Sequence, residues 1–309
     1  MLRAPLLAAA RSTRMRSLVE AVPATRAVVR RFVAGAQTPD AVRVARELAA
    51  GGRRVTLDHL GEDTTDRGQA ETTVKAYATL LRALDERGLA EGADVSVKLS
   101  AVGQNLPADG ERVALENARV ICTEAAAVGA TVTLDMEDHT TTDSTLGILR
   151  ELRADFPWAG AVLQAYLRRT ETDCAELSGP GSRVRLCKGA YAEPASVAFQ
   201  EKSEVDKSYV RCLRVLMSGS GYPMVASHDP RMVAIAEHLV GQLGRSPADH
   251  EFQMLYGIRP DEQRRIAADG HTMRVYVPYG DEWYGYFMRR LAERPANLAF
   301  FLRALATRS

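Results

Sequence analysis

The chain has 309 residues, of which 46% are hydrophobic and 26% charged, and its formal net charge is +1. This is ordinary globular composition, with room for one large domain or two small ones and no electrostatic footprint for nucleic acid. No apolar run is long enough to span a bilayer, and Cys122, Cys174, Cys187 and Cys212 form no C-x-x-C pair, so they read as reduced thiols in a cytoplasmic protein rather than a disulfide frame or zinc site.

The N-terminal segment is basic: Arg3, Arg11, Arg14, Arg16, Arg26, Arg30 and Arg31 face one acid, Glu20. It imitates a transit peptide, and Leu6–Ala10 weakly imitates a secretory core, but the apolar stretch is too short and interrupted for secretion. We expect a helical arm over residues 1–50, packed on the main domain with a loose peripheral contact to the inner face of the cell membrane. Its last helix opens at Thr38-Pro39-Asp40, with Pro at the first helical position, and closes at Gly51-Gly52.

From residue 54 a β-rich run and a helix-like stretch alternate. The expected strands are Val55–Asp58, Val95–Leu99, Val132–Asp135, Ala161–Ala165, Val184–Cys187, Met224–Ser227, Glu251–Met254 and Arg274–Val277. Between them lie helical stretches including Gln69–Glu86, Glu111–Val128, Asp143–Phe156, Ser203–Met217 and Arg231–Leu243. Gly88, Gly129, Gly160, Gly221, Gly244 and Gly270 stand between helix and next strand, where a helix stop is wanted. Eight such units are the count of a closed parallel (βα)8 barrel, here over residues 51–309, and no G-x-G-x-x-G supports a Rossmann fold.

In such a barrel, chemistry sits at the C-terminal strand ends. Those ends carry Asp58, His59 and Glu62; Lys98 and Ser100; Asp135, Glu137 and His139; Gln164; Arg185, Lys188 and Tyr191; Ser227 and His228; Gln253 and Leu255; and Tyr276. Any one of them is as often a cap or a loop contact, but so many converging on one rim suggest a cationic pocket with acids, suited to an anionic ligand. Three chemistries fit. A metal hydrolase would use His59, Asp135, His139 and His228, although Asp58 and His59, as neighbours on a strand, point apart. A Schiff-base lyase would use Lys98, or Lys188, as the amine. A flavin enzyme would spread Arg185, Lys188 and His228 along a cofactor. Near the C-terminus, Tyr286, Arg289, Arg290 and Glu293 are spaced by three and four residues, so on a helix they share one side and make a guanidinium fork for an anion.

The segments Asp58-His59-Leu60-Gly61-Glu62, Val97-Lys98-Leu99-Ser100, Leu134-Asp135-Met136-Glu137, Leu163-Gln164-Ala165-Tyr166-Leu167, Arg185-Leu186-Cys187-Lys188-Gly189-Ala190-Tyr191, Ala226-Ser227-His228-Asp229, Glu251-Phe252-Gln253-Met254-Leu255-Tyr256-Gly257 and Tyr286-x-x-Arg289-Arg290-x-x-Glu293 occur in this order. Together they resemble the proline dehydrogenases, both the stand-alone enzymes and the domain of bifunctional proline-utilisation flavoproteins. The resemblance covers about residues 55 to 294. It implies a distorted (βα)8 barrel that binds FAD without a Rossmann domain and oxidises L-proline to Δ1-pyrroline-5-carboxylate. Electrons would pass to a membrane quinone, with pyrroline-5-carboxylate dehydrogenase as downstream partner. By position, Lys98, Arg289 and Arg290 would hold the proline carboxylate, and Tyr191, Leu255, Tyr276 and Tyr286 would wall its ring. Asp135 and Glu293 would orient the cations, and Glu62 would gate the substrate end. Arg185 and Gln164 would lie on the isoalloxazine, and Lys188, Gly189, Ala190, Ser227, His228 and Gln253 along the rest of the cofactor. No metal is implied. Asp229 departs from relatives that carry Asn there, and the role of His139 is open.

Overall fold

The computed structural model describes residues 28–61 and 64–293, with side chains described up to Met288. Segment 1–27, Glu62, and the side chains of Arg289, Arg290 and Glu293 therefore lie outside the described residues. Eight strands close an all-parallel barrel in sequence order: β1 (Arg54–His59), β2 (Asp94–Val97), β3 (Thr131–Leu134), β4 (Gly160–Gln164), β5 (Arg183–Cys187), β6 (Tyr222–Ala226), β7 (Glu251–Leu255) and β8 (Met273–Tyr279). Each matches an expected strand with its ends shifted by at most two residues. The ring closes where β8 pairs β1, from Arg54 opposite Arg274 to His59 opposite Tyr279.

The helices are α1 (Thr38–Ala50), α2 (Arg67–Asp85), α3 (Gly110–Ala127), α4 (Thr142–Asp155), α5 (Thr170–Glu176), α6 (Lys202–Ser218), α7 (Pro230–Leu243), α8 (Pro260–Ala268) and α9 (Trp283–Glu293). In α1, Ala41, Val44, Ala45 and Leu48 recur at helical spacing and are buried in the same core as the strands. This stripe needs an apolar wall and finds it against β8 and β1, so α1 fills the outer position between the last strand and the first. Burial of such aliphatic side chains stabilises by about 1.5–3 kcal/mol for each Val or Leu.

With that position taken, α9 goes elsewhere. Tyr284, Tyr286, Phe287 and Met288 pack with Leu60, just past β1, and Ile258, just past β7, together with Val28, Phe32 and Val33. The helix therefore lies against the C-terminal mouth of the barrel, which is the main distortion of the regular (βα)8 plan. No helix among the described residues is long and apolar enough to cross a membrane.

The barrel interior is polar. Residues that alternate inward are Asp94 and Ser96, Thr131 and Thr133, Arg183 and Arg185, Glu251 and Gln253, and Arg274 and Tyr276. In the usual barrel these positions hold branched apolar side chains. Here Asp58, Asp94, Asp135 and Glu251 balance Lys98, Arg183, Arg185 and Arg274, so the buried charge has a compensating partner at every level.

Candidate active site

The site is built upward from a rigid floor. Arg274, fully buried, donates from Nε and Nη2 to the two Glu251 oxygens at 2.7 and 3.0 Å, and from Nη1 to the carbonyls of Val55 and Gly92 at 2.8 and 3.0 Å. Burial opposes a charged Glu251, but the adjoining Arg274 outweighs it and brings that carboxyl down to about 2. Beside this pair, Asp94 accepts from Thr56 at 3.0 Å, Thr131 at 2.8 Å, Thr133 at 3.0 Å and Arg185 Nη2 at 3.2 Å.

Arg185 links the floor to the mouth. Its Nε donates to Gln253 Oε1 at 2.6 Å, and its Nη1 to Ser96 Oγ at 2.8 Å and Asp135 Oδ1 at 3.0 Å. Its guanidinium also stands 5.3 Å from the Tyr276 ring centre, a cation–π distance. Asp135 is the hub of the mouth. Oδ1 accepts from Ser96 at 2.9 Å as well as from Arg185; Oδ2 accepts from Tyr276 Oη at 2.8 Å and lies 3.3 Å from Lys98 Nζ. Lys98 in turn sits 3.0 Å from both oxygens of Asp58.

The two carboxyls flanking Lys98 titrate in opposite directions. Burial pushes Asp58 up, more than the charge of Lys98 can pull it down. Burial also penalises Asp135, but Lys98, Arg185 and the hydrogen bonds from Tyr276 and Ser96 outweigh it and hold Asp135 below the usual carboxylate range. The rim expected as an open cationic pocket is thus charge-compensated among the described side chains. A cation taken out of water in a barrel interior is stable only beside a partner.

The other expected residues divide by position. Gln164 is buried; its Nε2 donates to the Met136 carbonyl at 3.2 Å, while Oε1 accepts nothing among the described residues. Lys188 lies outside the hub, 2.5 Å from Asp206 and 2.9 Å from Asp229. His228 Nε2 accepts from the Leu255 backbone at 2.9 Å. Ser227 Oγ accepts from the Asp229 backbone at 3.2 Å. Gly189 adopts φ +106°, and a Cβ there would fall 2.2 Å from the Tyr166 ring, so only glycine fits this approach. Ala190 and Tyr191 are exposed, Tyr191 to 41%. Leu255 packs against the α9 cluster, and Tyr286 is buried within it.

The imidazoles of a metal hydrolase are not gathered. His59 packs edge-on to Tyr77 and Tyr279 while Asp58 turns into the barrel, and His139 pairs with Glu193. No group of His, Cys, Asp and Glu among the described residues could hold a metal ion. Sequence reasoning left out Asp94, Ser96, Glu251 and Arg274 as site residues. Their signal was present: Asp94-x-Ser96-x-Lys98 and Glu251-x-Gln253 alternate polar residues on one strand face.

These residues suit a flavin: an unfilled buried acceptor on Gln164, a buried guanidinium on Arg185, and a lysine beside a glycine where the backbone passes close. The family model of proline dehydrogenase matches residues 41–303. Proline dehydrogenase 1 of Bacillus subtilis (strain 168) is 38% identical over 281 residues, 91% of this chain and 91% of the relative. The proline dehydrogenase of Deinococcus radiodurans is 40% identical over 277 residues, 89% of each chain. Among solved structures, proline utilization A (PutA) of Bdellovibrio bacteriovorus, inactivated by N-propargylglycine, superposes with a TM-score of 0.79 at 25% identity, covering 87% of this chain and 33% of that one. This chain thus spans about a third of that protein but nearly the whole of the stand-alone relatives. The chain belongs to the proline dehydrogenase family.

Proposed function

We propose that the protein oxidises L-proline to Δ1-pyrroline-5-carboxylate with FAD as cofactor, and that a membrane quinone takes the electrons. The observation that carries this reading is the Lys98–Asp135–Arg185–Tyr276 hub at the mouth, next to the helix whose backbone bears Arg289 and Arg290. When bound, FAD supplies the two-electron acceptor that amino-acid side chains lack. Gln164, Arg185, Gln253, Lys188, Gly189, Ala190, Ser227 and His228 are the residues that would hold it.

Substrate binding is anion fixation. Lys98 already balances Asp58 and Asp135, so most of the attraction for a carboxylate must come from Arg289 and Arg290. Tyr276, Leu255, Tyr286 and Tyr191 supply ring-sized apolar surface and exclude water from the reacting carbon. Asp135 fixes Arg185, Tyr276 and Lys98 relative to one another, and a locked geometry of this kind is what an oriented transfer requires. Little acid–base chemistry is asked of the protein, because the substrate nitrogen uses its own lone pair once it is neutral.

The basic N-terminal segment is assigned a loose contact with the inner face of the cell membrane, where a quinone would be met, and the product is a substrate for a pyrroline-5-carboxylate dehydrogenase. A dye-linked assay with L-proline as donor and chemical trapping of the cyclic imine tests the reaction. Dye reduction with stoichiometric imine supports it; a flavin-loaded protein that reduces no dye with proline overturns it.

A further inference from the structure

Away from the hub, one buried carboxylate joins three loops of the mouth. Glu193 lies in the loop between β5 and α6, and its side chain is only 4% exposed. One oxygen accepts the His139 backbone N–H at 2.9 Å and the Tyr166 hydroxyl at 3.3 Å; the other meets His139 Nδ1. His139 follows β3 and Tyr166 follows β4. The Tyr166 ring is also the surface against which Gly189 is pressed, close enough that a Cβ there would overlap it. Backbone bonds pin the two ends of the loop: Tyr166 N to Lys188 O at 2.9 Å, and Phe199 N to Tyr166 O at 2.8 Å. Between these pins Arg168, just past β4, donates from Nε to the Ala195 carbonyl at 3.2 Å and from its backbone to Val197 O at 2.9 Å, and the carboxylate of Glu193 is the loop's own side chain that reaches both β3 and β4.

We propose that Glu193, with His139 and Tyr166, is a positioning latch that sets the segment Lys188–Tyr191 against the ends of β3 and β4. The inference rests on the functional reading above, in which that segment contacts FAD and proline. Glu193 touches none of the reacting atoms in that reading, so it acts through the loop. A buried carboxylate in three polar contacts holds its partners more tightly than neutral contacts would, and its removal leaves the buried Tyr166 hydroxyl without this partner. This gives His139 a structural reason to stand where it does.

The test uses the full chain and the variants E193A, H139A and Y166F. Hydrogen exchange of residues 189–196 reads the latch with or without cofactor. E193A should speed exchange there at least tenfold, with barrel-strand amides unchanged. FAD titrated into cofactor-stripped protein should bind about tenfold more weakly in E193A, and the proline KM should rise by a similar factor. The kcat of the FAD-saturated enzyme should stay within about threefold. The double variant E193A/H139A should be no worse than E193A, because the imidazole contact that H139A removes is among those that E193A already removes. If E193A does not fold, H139A and Y166F carry the test, each with exchange in that segment raised at least threefold. Wild-type exchange rates in all variants overturn the latch, as does a fall in kcat with KM unchanged, or effects of E193A and H139A that multiply. A wild-type protein that binds no FAD overturns the functional reading instead, and leaves the exchange result to decide the latch.

Discussion

Removal of the Asp135 carboxylate should destabilise the fold and disorder the mouth together. The side chain is 14% exposed and takes Ser96 at 2.9 Å, Arg185 at 3.0 Å, Tyr276 at 2.8 Å and Lys98 at 3.3 Å. In Asp135→Ala, Lys98 keeps Asp58 and Arg185 keeps Asp94, so neither cation is fully orphaned. Both still lose a charge partner in a site that water reaches poorly, so the cost approaches, from below, the roughly 3–5 kcal/mol of a buried pair broken outright. Asp135→Asn keeps the shape and one acceptor. Its amide can face Tyr276, whose hydroxyl can turn to accept, so about 1–3 kcal/mol is expected. Urea unfolding with an unchanged m-value measures both. The pH dependence is a second check. The folded-state pKa of Asp135 lies below its ordinary 3.8, so its contribution is full above pH 3.8 and is lost as pH falls through the lower folded value. The gap between wild type and Asp135→Ala should therefore narrow below pH 3.8. Asp58 runs the other way: its folded pKa is raised, so protonating it on acidification favours the folded state. A loss under about 1 kcal/mol in Asp135→Ala would refute the hub as a stabilising unit, and a gap that widens on acidification would refute its charge assignment.

Arg289→Met or Arg290→Met should raise the proline KM strongly and leave flavin content nearly intact, since loss of a charge-assisted pair at a buried anion costs on the order of 2–5 kcal/mol; normal proline kinetics in both variants would remove the carboxylate clamp. Gly189→Ala should destabilise by about 1–3 kcal/mol and lower flavin occupancy, because φ +106° and the Tyr166 ring leave a methyl no room; urea unfolding and the flavin-to-protein absorbance ratio read the two effects. Deletion of residues 1–16 should keep dye-linked proline oxidation and weaken binding to anionic vesicles at low salt, at roughly 1 kcal/mol per basic residue removed; vesicle binding equal to the full chain would leave the segment no membrane role.

The barrel was readable because each strand is a short run with apolar or β-branched residues at every second position or more, set off by a glycine or a polar turn, as at Gly129 before Thr131–Leu134. Strand-end positions also made Lys98, Asp135 and Arg185 readable, because topology alone sends them to one mouth. The lower tier was missed for a physical reason: barrel interiors are expected to be apolar, so nothing marked Asp94, Glu251 and Arg274 as site residues despite their two-residue spacing from polar neighbours. Their burial is tolerable only as a neutralising set with Arg183 and Arg185, and a set of partners on four strands is invisible to a reading that takes one strand at a time. The contact of His139 with Glu193 spans 54 positions and depends on loop paths, which no local pattern specifies. The helix at Thr38–Ala50 was legible as a helix, but its packing between β8 and β1 depends on α9 being placed elsewhere.

In the function proposed above, this site brings a flavin and proline together. The most direct measurement is the absorption spectrum of the purified, FAD-loaded protein under anaerobic conditions, before and after L-proline. The flavin bands should bleach on adding proline, less readily in Arg289→Met and Arg290→Met. A protein that holds FAD but keeps its bands unbleached at saturating proline would contradict the proposed function.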